Sequence, residues 1–330
     1  MVYLKPTAVA LFLALATSTL ADDKLPNDLV GCNEVSCTKH NAHDRCIVGD
    51  HSFLGIGLAR IPDVPSSLEG LSLIKGVNVT TGLNGKDNVK QTRPFRSVYY
   101  LGAPSKLKTK DLAGCAVIFN DPPSKRFDGP EVHGRDPSGE DRNSTDTRAA
   151  HGTCPDVIEQ KCIDKLTERA SNGVYNGKGD ACAALERELK KRSFDECHDL
   201  GGNGRGLGNF TVTSFGNLTA VSNSSSPCWP ILPKSDNLAE ITVQTAFGNY
   251  SANALTQQAY KVTPVLTVFY SDGNRSLVDR ASSQMTCLKI VTDENPNDAP
   301  DGSDSSAPGL KGSWFVAGMA VLMTVILAGL

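Results

Sequence analysis

Ten cysteines constrain this chain more than any other feature: Cys32, Cys37, Cys46, Cys115, Cys154, Cys162, Cys182, Cys197, Cys228 and Cys287. The two ends of the chain are expected to send all of them through an oxidising compartment. At the N-terminus Lys5 precedes an apolar run over 8–16, and small and polar residues follow up to Thr19-Leu20-Ala21. A charged start, a short apolar stretch and a small-x-small cut site predict a secretory signal peptide over 1–21. At the C-terminus an apolar run covers 314–330, with no Lys or Arg after it. Upstream of it stands Ser303-Asp304-Ser305-Ser306-Ala307, followed by a spacer over 306–313. Small residues, a spacer of about 8–12 residues and an apolar tail form the pattern of a GPI signal. The expectation is a lipid on Ser303 or Ser305 and a removed propeptide over 304–330. An ordinary membrane helix is the competing reading, and the tail sits at its lower limit of roughly 17 residues. In a secreted chain an even number of cysteines predicts disulfides rather than reactive thiols.

Seven sequons agree with that route: Asn78, Asn143, Asn209, Asn217, Asn223, Asn249 and Asn274 each stand two residues before Ser or Thr. The formal net charge is −3, and no basic stripe runs along the chain. That balance excludes an electrostatic footprint for nucleic acid.

Short apolar runs at 53–61, 71–79, 98–101 and 115–119 are punctuated by Pro62, Pro65, Gly82, Gly85 and Pro104, which predicts β-strands over 47–120. Residues 121–152 carry Pro122, Pro123, Pro130, Pro137 and dense charge, and read as a long polar loop. Helical spacing then returns over 153–200. One helix starts near Pro155, and a second runs over 180–200 with Cys182, Leu185, Leu189 and Cys197 as its markers. Nested clasps Cys162–Cys182 and Cys154–Cys197 would hold this hairpin, and Cys228 with Cys287 would form a later bridge. Strand-like runs at 210–213, 241–244, 262–270 and 287–291 complete a second β-region over 209–292, with a turn signal at Asp272-Gly273-Asn274. The composition of 293–303 is that of a solvated stalk. The expected fold is α+β and mainly β. Its sandwich of antiparallel strands draws on both halves of the ectodomain, 22–292, and carries an inserted, disulfide-clasped helical hairpin. Two β-domains flanking the hairpin are the alternative.

Few residues point to chemistry. His40 and His43, with His51 nearby, could present imidazoles to copper or zinc, but no third ligand is identifiable, and the preferred reading is an exposed polar loop beside a disulfide with no metal. The glycine run over 201–208 follows a helix and precedes a strand, the reverse of a phosphate-cradling loop. No nucleophile elbow or zincin motif occurs, and His133, His151 and His198 select no serine. Glu69, Asp87, Glu131 and Glu240 are available for glycoside hydrolysis without any one being distinguished. Trp229 would be the only tryptophan left after processing, which argues against a cleft lined with stacking rings. Tyr99-Tyr100 offer a small platform, although alternation would put one ring inside and one out. Lys125-Arg126 in the polar loop reads first as a solvated charge pair; the alternative is a dibasic site for a processing protease, with a bridge such as Cys115–Cys154 then holding the halves together. No cofactor is expected.

The layout carried by residues 8–21 and 303–330 resembles that of GPI-anchored, cysteine-rich surface glycoproteins of filamentous fungi. The resemblance implies a place on the outer face of the plasma membrane or in the cell wall, and no activity. Together with the residues it leads to the expectation of a non-enzymatic surface protein. Its partners would be cell-wall polysaccharide or another surface protein, with a carbohydrate-active hydrolase or transglycosylase as the alternative.

Overall fold

The computed structural model describes residues 29–32, 35, 46–49, 51–79, 92–123, 153–175, 180–191, 194–198, 200, 207–221, 230–231, 237–249, 251–272 and 277–292. The expected signal peptide, stalk and anchor, Lys125-Arg126, His40, His43, Cys37, Cys228 and Trp229 all lie outside the described residues. In chain order the strands and helices are β1 (Cys46–Val48), β2 (His51–Phe53), β3 (Gly55–Arg60), β4 (Ser72–Val79), β5 (Thr92–Gly102) and β6 (Gly114–Phe119). Helices α1 (Cys154–Val157), α2 (Gln160–Tyr175) and α3 (Ala181–Lys191) follow. The chain continues with β7 (Phe210–Ser214), β8 (Thr219–Ala220), β9 (Leu238–Asn249), α4 (Ala252–Gln258), β10 (Thr263–Phe269) and β11 (Ser282–Leu288).

Two antiparallel sheets stack on each other, one ordered β11-β10-β6-β7 and the other β3-β4-β5-β9-β8. Strands from before and after the helices share both sheets, since β6 lies between β10 and β7 and β5 lies beside β9. The mainly β fold with antiparallel sheets and a helical insertion is therefore the one the sequence predicts. The continuous apolar run of β6 has a simple cause, because both of its faces are covered. Cys115, Val117 and Phe119 point to the helices, while Ala116 and Ile118 point to the second sheet. The same division places Leu266 and Val268 of β10 on the helical side and Val265 and Phe269 between the sheets.

The five-stranded sheet is covered on its inner side and over part of its outer side. Its inner face packs Leu73, Tyr99 and Leu101 against the other sheet. Over part of its outer face lies the small β1–β2 ribbon together with Val30, Val35 and Ile231. A Cβ at Gly76 would come within 2.8 Å of the Phe53 ring, so glycine lets this ribbon lie flat on the sheet.

Helix α2 buries Cys162, Ile163, Leu166, Ala170 and Val174 along one stripe, and α3 buries Cys182, Leu185 and Leu189. Asp180 caps α3 by accepting from the backbone N–H groups of Cys182 at 2.9 Å and Ala183 at 3.1 Å. The second helix ends earlier than its spacing predicts. Phe194 leaves helical geometry and is buried, with the Arg169 guanidinium 4.3 Å from its ring centroid.

The disulfides correct the expected pairings. The bridges are Cys32–Cys46, Cys115–Cys182, Cys154–Cys287 and Cys162–Cys197, with Cα separations of 6.0, 5.6, 5.1 and 4.8 Å. Neither Cys162–Cys182, Cys154–Cys197, Cys228–Cys287 nor Cys115–Cys154 forms. The hairpin folds back near residue 180, bringing Gly173 beside Glu188. Cys162 therefore meets Cys197 at the open end, and Cys182 sits at the turn, roughly 20 Å away at 1.5 Å per residue. From there Cys182 reaches β6, and Cys154 reaches β11. Two of the bridges thus staple the helical insertion to the sheet instead of clasping the hairpin to itself.

Candidate functional site

Tyr99 and Tyr100 do not form a platform, because both side chains are buried. Alternation puts them on opposite faces of β5, as expected, but each face is roofed. Tyr99 lies between the sheets, and Tyr100 lies beneath the ribbon in an edge-on contact with Phe53 at 6.2 Å.

Between the sheets the chain buries a lysine that sequence reading passed over. Lys75 is 0 % exposed, and its Nζ donates to the carbonyl of Lys261 at 2.9 Å and to Thr263 Oγ1 at 3.0 Å. The Tyr99 hydroxyl donates to the same Thr263 oxygen at 3.4 Å. Burial, and then the charges of Lys261 and Lys289, hold the Lys75 amine well below its ordinary pKa. Burial likewise pushes the Tyr99 phenol up to about 12. Lys261 is also lowered by burial, Asp121 opposing, and its Nζ donates to the Asn120 carbonyl at 3.1 Å. Asn120 in turn accepts from Gln244 of β9 at 2.6 Å, a polar tie between the two sheets. A single Lys in the apolar run 71–79 was the only signal for this network, and a lone charge in a strand ordinarily marks a solvated face. Lys75, Tyr99 and Thr263 are walled in, Asn120, Gln244 and Lys261 are partly exposed at the rim, and the network joins the layers.

The outer face of the five-stranded sheet has a different character. His51 of β2 and Glu240 of β9, far apart in sequence, meet with Nε2 and Oε2 3.7 Å apart, and each side chain is about a third exposed. The buried Tyr100 hydroxyl beneath them has no hydrogen-bond partner among the described residues. Burial and then Glu240 raise its pKa, Arg96 opposing. Beyond the ribbon no described residue covers the same face. Cross-strand neighbours Asn78, Arg96 and Thr245 form one row, and Pro94 with Phe247 form the next. Arg96 and Thr245 are exposed, and Phe247 is 69 % exposed. Here β9 runs well past the 241–244 stretch that its composition marks as a strand.

Of the other candidates, Glu69 stands exposed between β3 and β4, and His198 stands exposed beside Cys197. Asp87, Glu131, His133 and His151 lie outside the described residues, as do Asn143, Asn223 and Asn274. Among the described residues no three His, Cys, Asp or Glu side chains gather as metal ligands would. Asn209 is exposed, and its backbone N–H donates to Asp121 Oδ2 at 2.9 Å.

Asn78 is placed differently, with Nδ2 donating to the Ser52 carbonyl at 2.6 Å and Oδ1 buried. That bond holds the ribbon to the sheet. In protein made without glycans, Asn78→Ala should cost about 1–3 kcal/mol in urea unfolding, the usual penalty for stranding a half-buried partner. Asn209→Ala should cost little, and equal losses for the two would refute the assignment. No protein-family model, no curated protein and no solved structure matches this chain.

Proposed function

We propose that this chain is a secreted, N-glycosylated ectodomain held on the outer face of the plasma membrane by a GPI lipid, and that it binds or organises cell-wall polysaccharide or a surface partner without chemical turnover. The observation that carries the reading is the part of the outer sheet face that no described residue covers, where Arg96 and Thr245 stand in one cross-strand row, four residues along β5 from the Tyr100 row that holds the partly exposed His51–Glu240 pair. A flat β face sets side chains at fixed intervals of about 5 Å between strands and about 7 Å along one, which suits an extended polymer. The sequons, the cleavable apolar start and the small-residue site before the apolar tail support the surface location. The disulfides support an oxidising route.

The hydrolase or transglycosylase reading draws on one specific observation, the Glu240 carboxylate beside an imidazole and above a buried phenol. It also requires a second carboxylate within about 5–10 Å.

One experiment separates these readings. Protein released from intact cells by a phosphatidylinositol-specific phospholipase is mixed with chitin, β-glucan and mannan, and the same tubes are scored for retention and for new reducing ends. Retention without new ends is expected, with Arg96→Glu weakening it roughly tenfold, the equivalent of about 1.4 kcal/mol. New ends that vanish in Glu240→Gln would establish the hydrolase. Neither signal would leave a protein partner, and failure of the phospholipase to release the chain would remove the anchor.

A further inference from the structure

An exposed aromatic ring at the end of an edge strand is a liability, because it invites pairing with another chain. Phe247 is such a ring, 69 % exposed near the end of β9. Beyond Glu240 that strand pairs only with β5 among the described residues. Two residues further along lies Asn249, also exposed, in the sequon Asn249-Tyr250-Ser251. Residues two apart on a strand share a face, so the ring and the amide stand about 7 Å apart and point the same way. The residue between them confirms the register. Gly248 turns inward, where a Cβ would lie 2.9 Å from the Phe95 ring and 3.2 Å from Ala254 of α4. No larger residue fits there without displacing that packing, so Phe247 and Asn249 are held outward together. The amide is also oriented. Asn249 Oδ1 accepts from the Ser251 backbone N–H at 3.1 Å and from its hydroxyl at 2.5 Å. Asn249 Nδ2, the atom that a glycan occupies, makes no hydrogen bond among the described residues. Asn78 and Asn209 differ in this respect, since their Nδ2 atoms donate to the Ser52 carbonyl and to Asp121.

We propose that Asn249 carries an N-linked glycan whose first sugars lie on the Phe247 ring, so that the ring is a built-in platform for the protein's own glycan and not a contact for an external ligand. The proposal rests on the secretory part of the functional reading. The covalent step takes its sugar from a polyprenyl-pyrophosphate-linked oligosaccharide. Sugar C1 bonds to Nδ2, its bond to the pyrophosphate oxygen breaks with the electron pair leaving on that oxygen, and Nδ2 loses one proton. Once attached, the sugar presents C–H bonds carrying slight positive charge to the negative face of the ring. The stacked sugars cover the apolar surface and block the free edge of β9.

The test uses the full-length chain expressed in a secreting eukaryotic host. Glycopeptide mass spectrometry reads occupancy at each sequon, and melting temperatures are compared for the parent, Phe247→Ala, Asn249→Gln and the double variant. Asn249 should be occupied. Phe247→Ala should lower the midpoint by about 2–4 °C, the shift expected for roughly 1 kcal/mol in a protein of this size. In the Asn249→Gln background the same substitution should cost nothing, and Phe247→Tyr should behave as the parent. An equal loss in both backgrounds would overturn the proposal, as would occupied Asn249 with no loss on Phe247→Ala. A bare Asn249 while Asn209 is occupied would also overturn it but would leave the secretory reading intact. Unmodified sequons throughout would refute both.

Discussion

Removing the Cys154–Cys287 bridge is expected to cost more stability than removing any local staple of the fold. The bridge joins the start of α1 to β11, an outer strand of the four-stranded sheet, across a sequence separation of 133 residues. Cross-linking so long a segment restricts the unfolded chain by about 4–5 kcal/mol on the loop-closure model. Cys162–Cys197 spans 35 residues, and the same model assigns it about 4 kcal/mol or slightly less. The folded state adds to this difference. The seam between α2 and β11 is partly polar, with Ser283 donating to the Thr167 carbonyl at 2.6 Å and lying 2.7 Å from Ser171. Without the covalent tie the outer strand would depend on that seam, on its pairing with β10 and on its packing against β3 and β4. Alanine at both Cys154 and Cys287 should therefore remove about 4–5 kcal/mol, a large share of the roughly 5–15 kcal/mol typical of folded proteins. Urea unfolding under non-reducing conditions, beside the Cys162→Ala/Cys197→Ala pair, measures it. A smaller loss for the long-range bridge would mean that the helices and β11 are held by packing alone.

The buried lysine sets the second expectation, a stability that climbs with pH where most proteins decline. Lys75 has a depressed pKa in the folded state, so in alkaline solution the unfolded chain binds a proton that the folded chain does not. Unfolding free energy then rises with pH from the folded value of that pKa up to its unfolded value of about 10.4. A single proton gives a slope of at most about 1.4 kcal/mol per pH unit. Lys261, lowered for the same reason, acts in the same direction. Tyr99 acts oppositely above pH 10, because its phenol stays protonated in the folded state up to about 12. The two limbs place a maximum near pH 10. Lys75→Met keeps the volume, removes the Lys75 titration and should reduce the rising limb to the part due to Lys261, with the decline due to Tyr99 unchanged. Lys75→Ala leaves a cavity and strands the Lys261 carbonyl and Thr263 hydroxyl, and should cost about 3–5 kcal/mol. Urea unfolding at pH 7 and pH 9.5 on the three proteins decides it. Parent and Lys75→Met curves with the same pH dependence would show that Lys75 keeps its charge inside the fold.

How far the sequence could be read depended on the range of the physics involved. The strands at β3, β4, β6 and β10 were legible because strands buried on both faces carry dense apolar runs, β7 was legible because Phe210 and Val212 alternate with threonines, and the turn residues between the runs are local chemistry. The helical hairpin was legible from the spacing of Cys162, Leu166, Cys182, Leu185 and Leu189, and the mainly β class followed from the two together. The pairing of the cysteines was not. Spacing bounds only how far apart two cysteines can lie, whereas Cys115–Cys182 and Cys154–Cys287 depend on which strands the helices cross. Burial of Tyr100 was equally out of reach, since it needs the N-terminal segment and the β1–β2 ribbon to return over the sheet. The meeting of His51 with Glu240, the enclosure of Lys75 between two layers and the free ring of Phe247 beside Asn249 are also products of strand order and register. Local sequence, through periodicity, turn chemistry and motif, determined the elements, the class of fold and the expected route to the cell surface. Only the tertiary structure decided which residues became neighbours, because burial and bridging are set by contacts between segments whose separation along the chain carries no signal of their meeting.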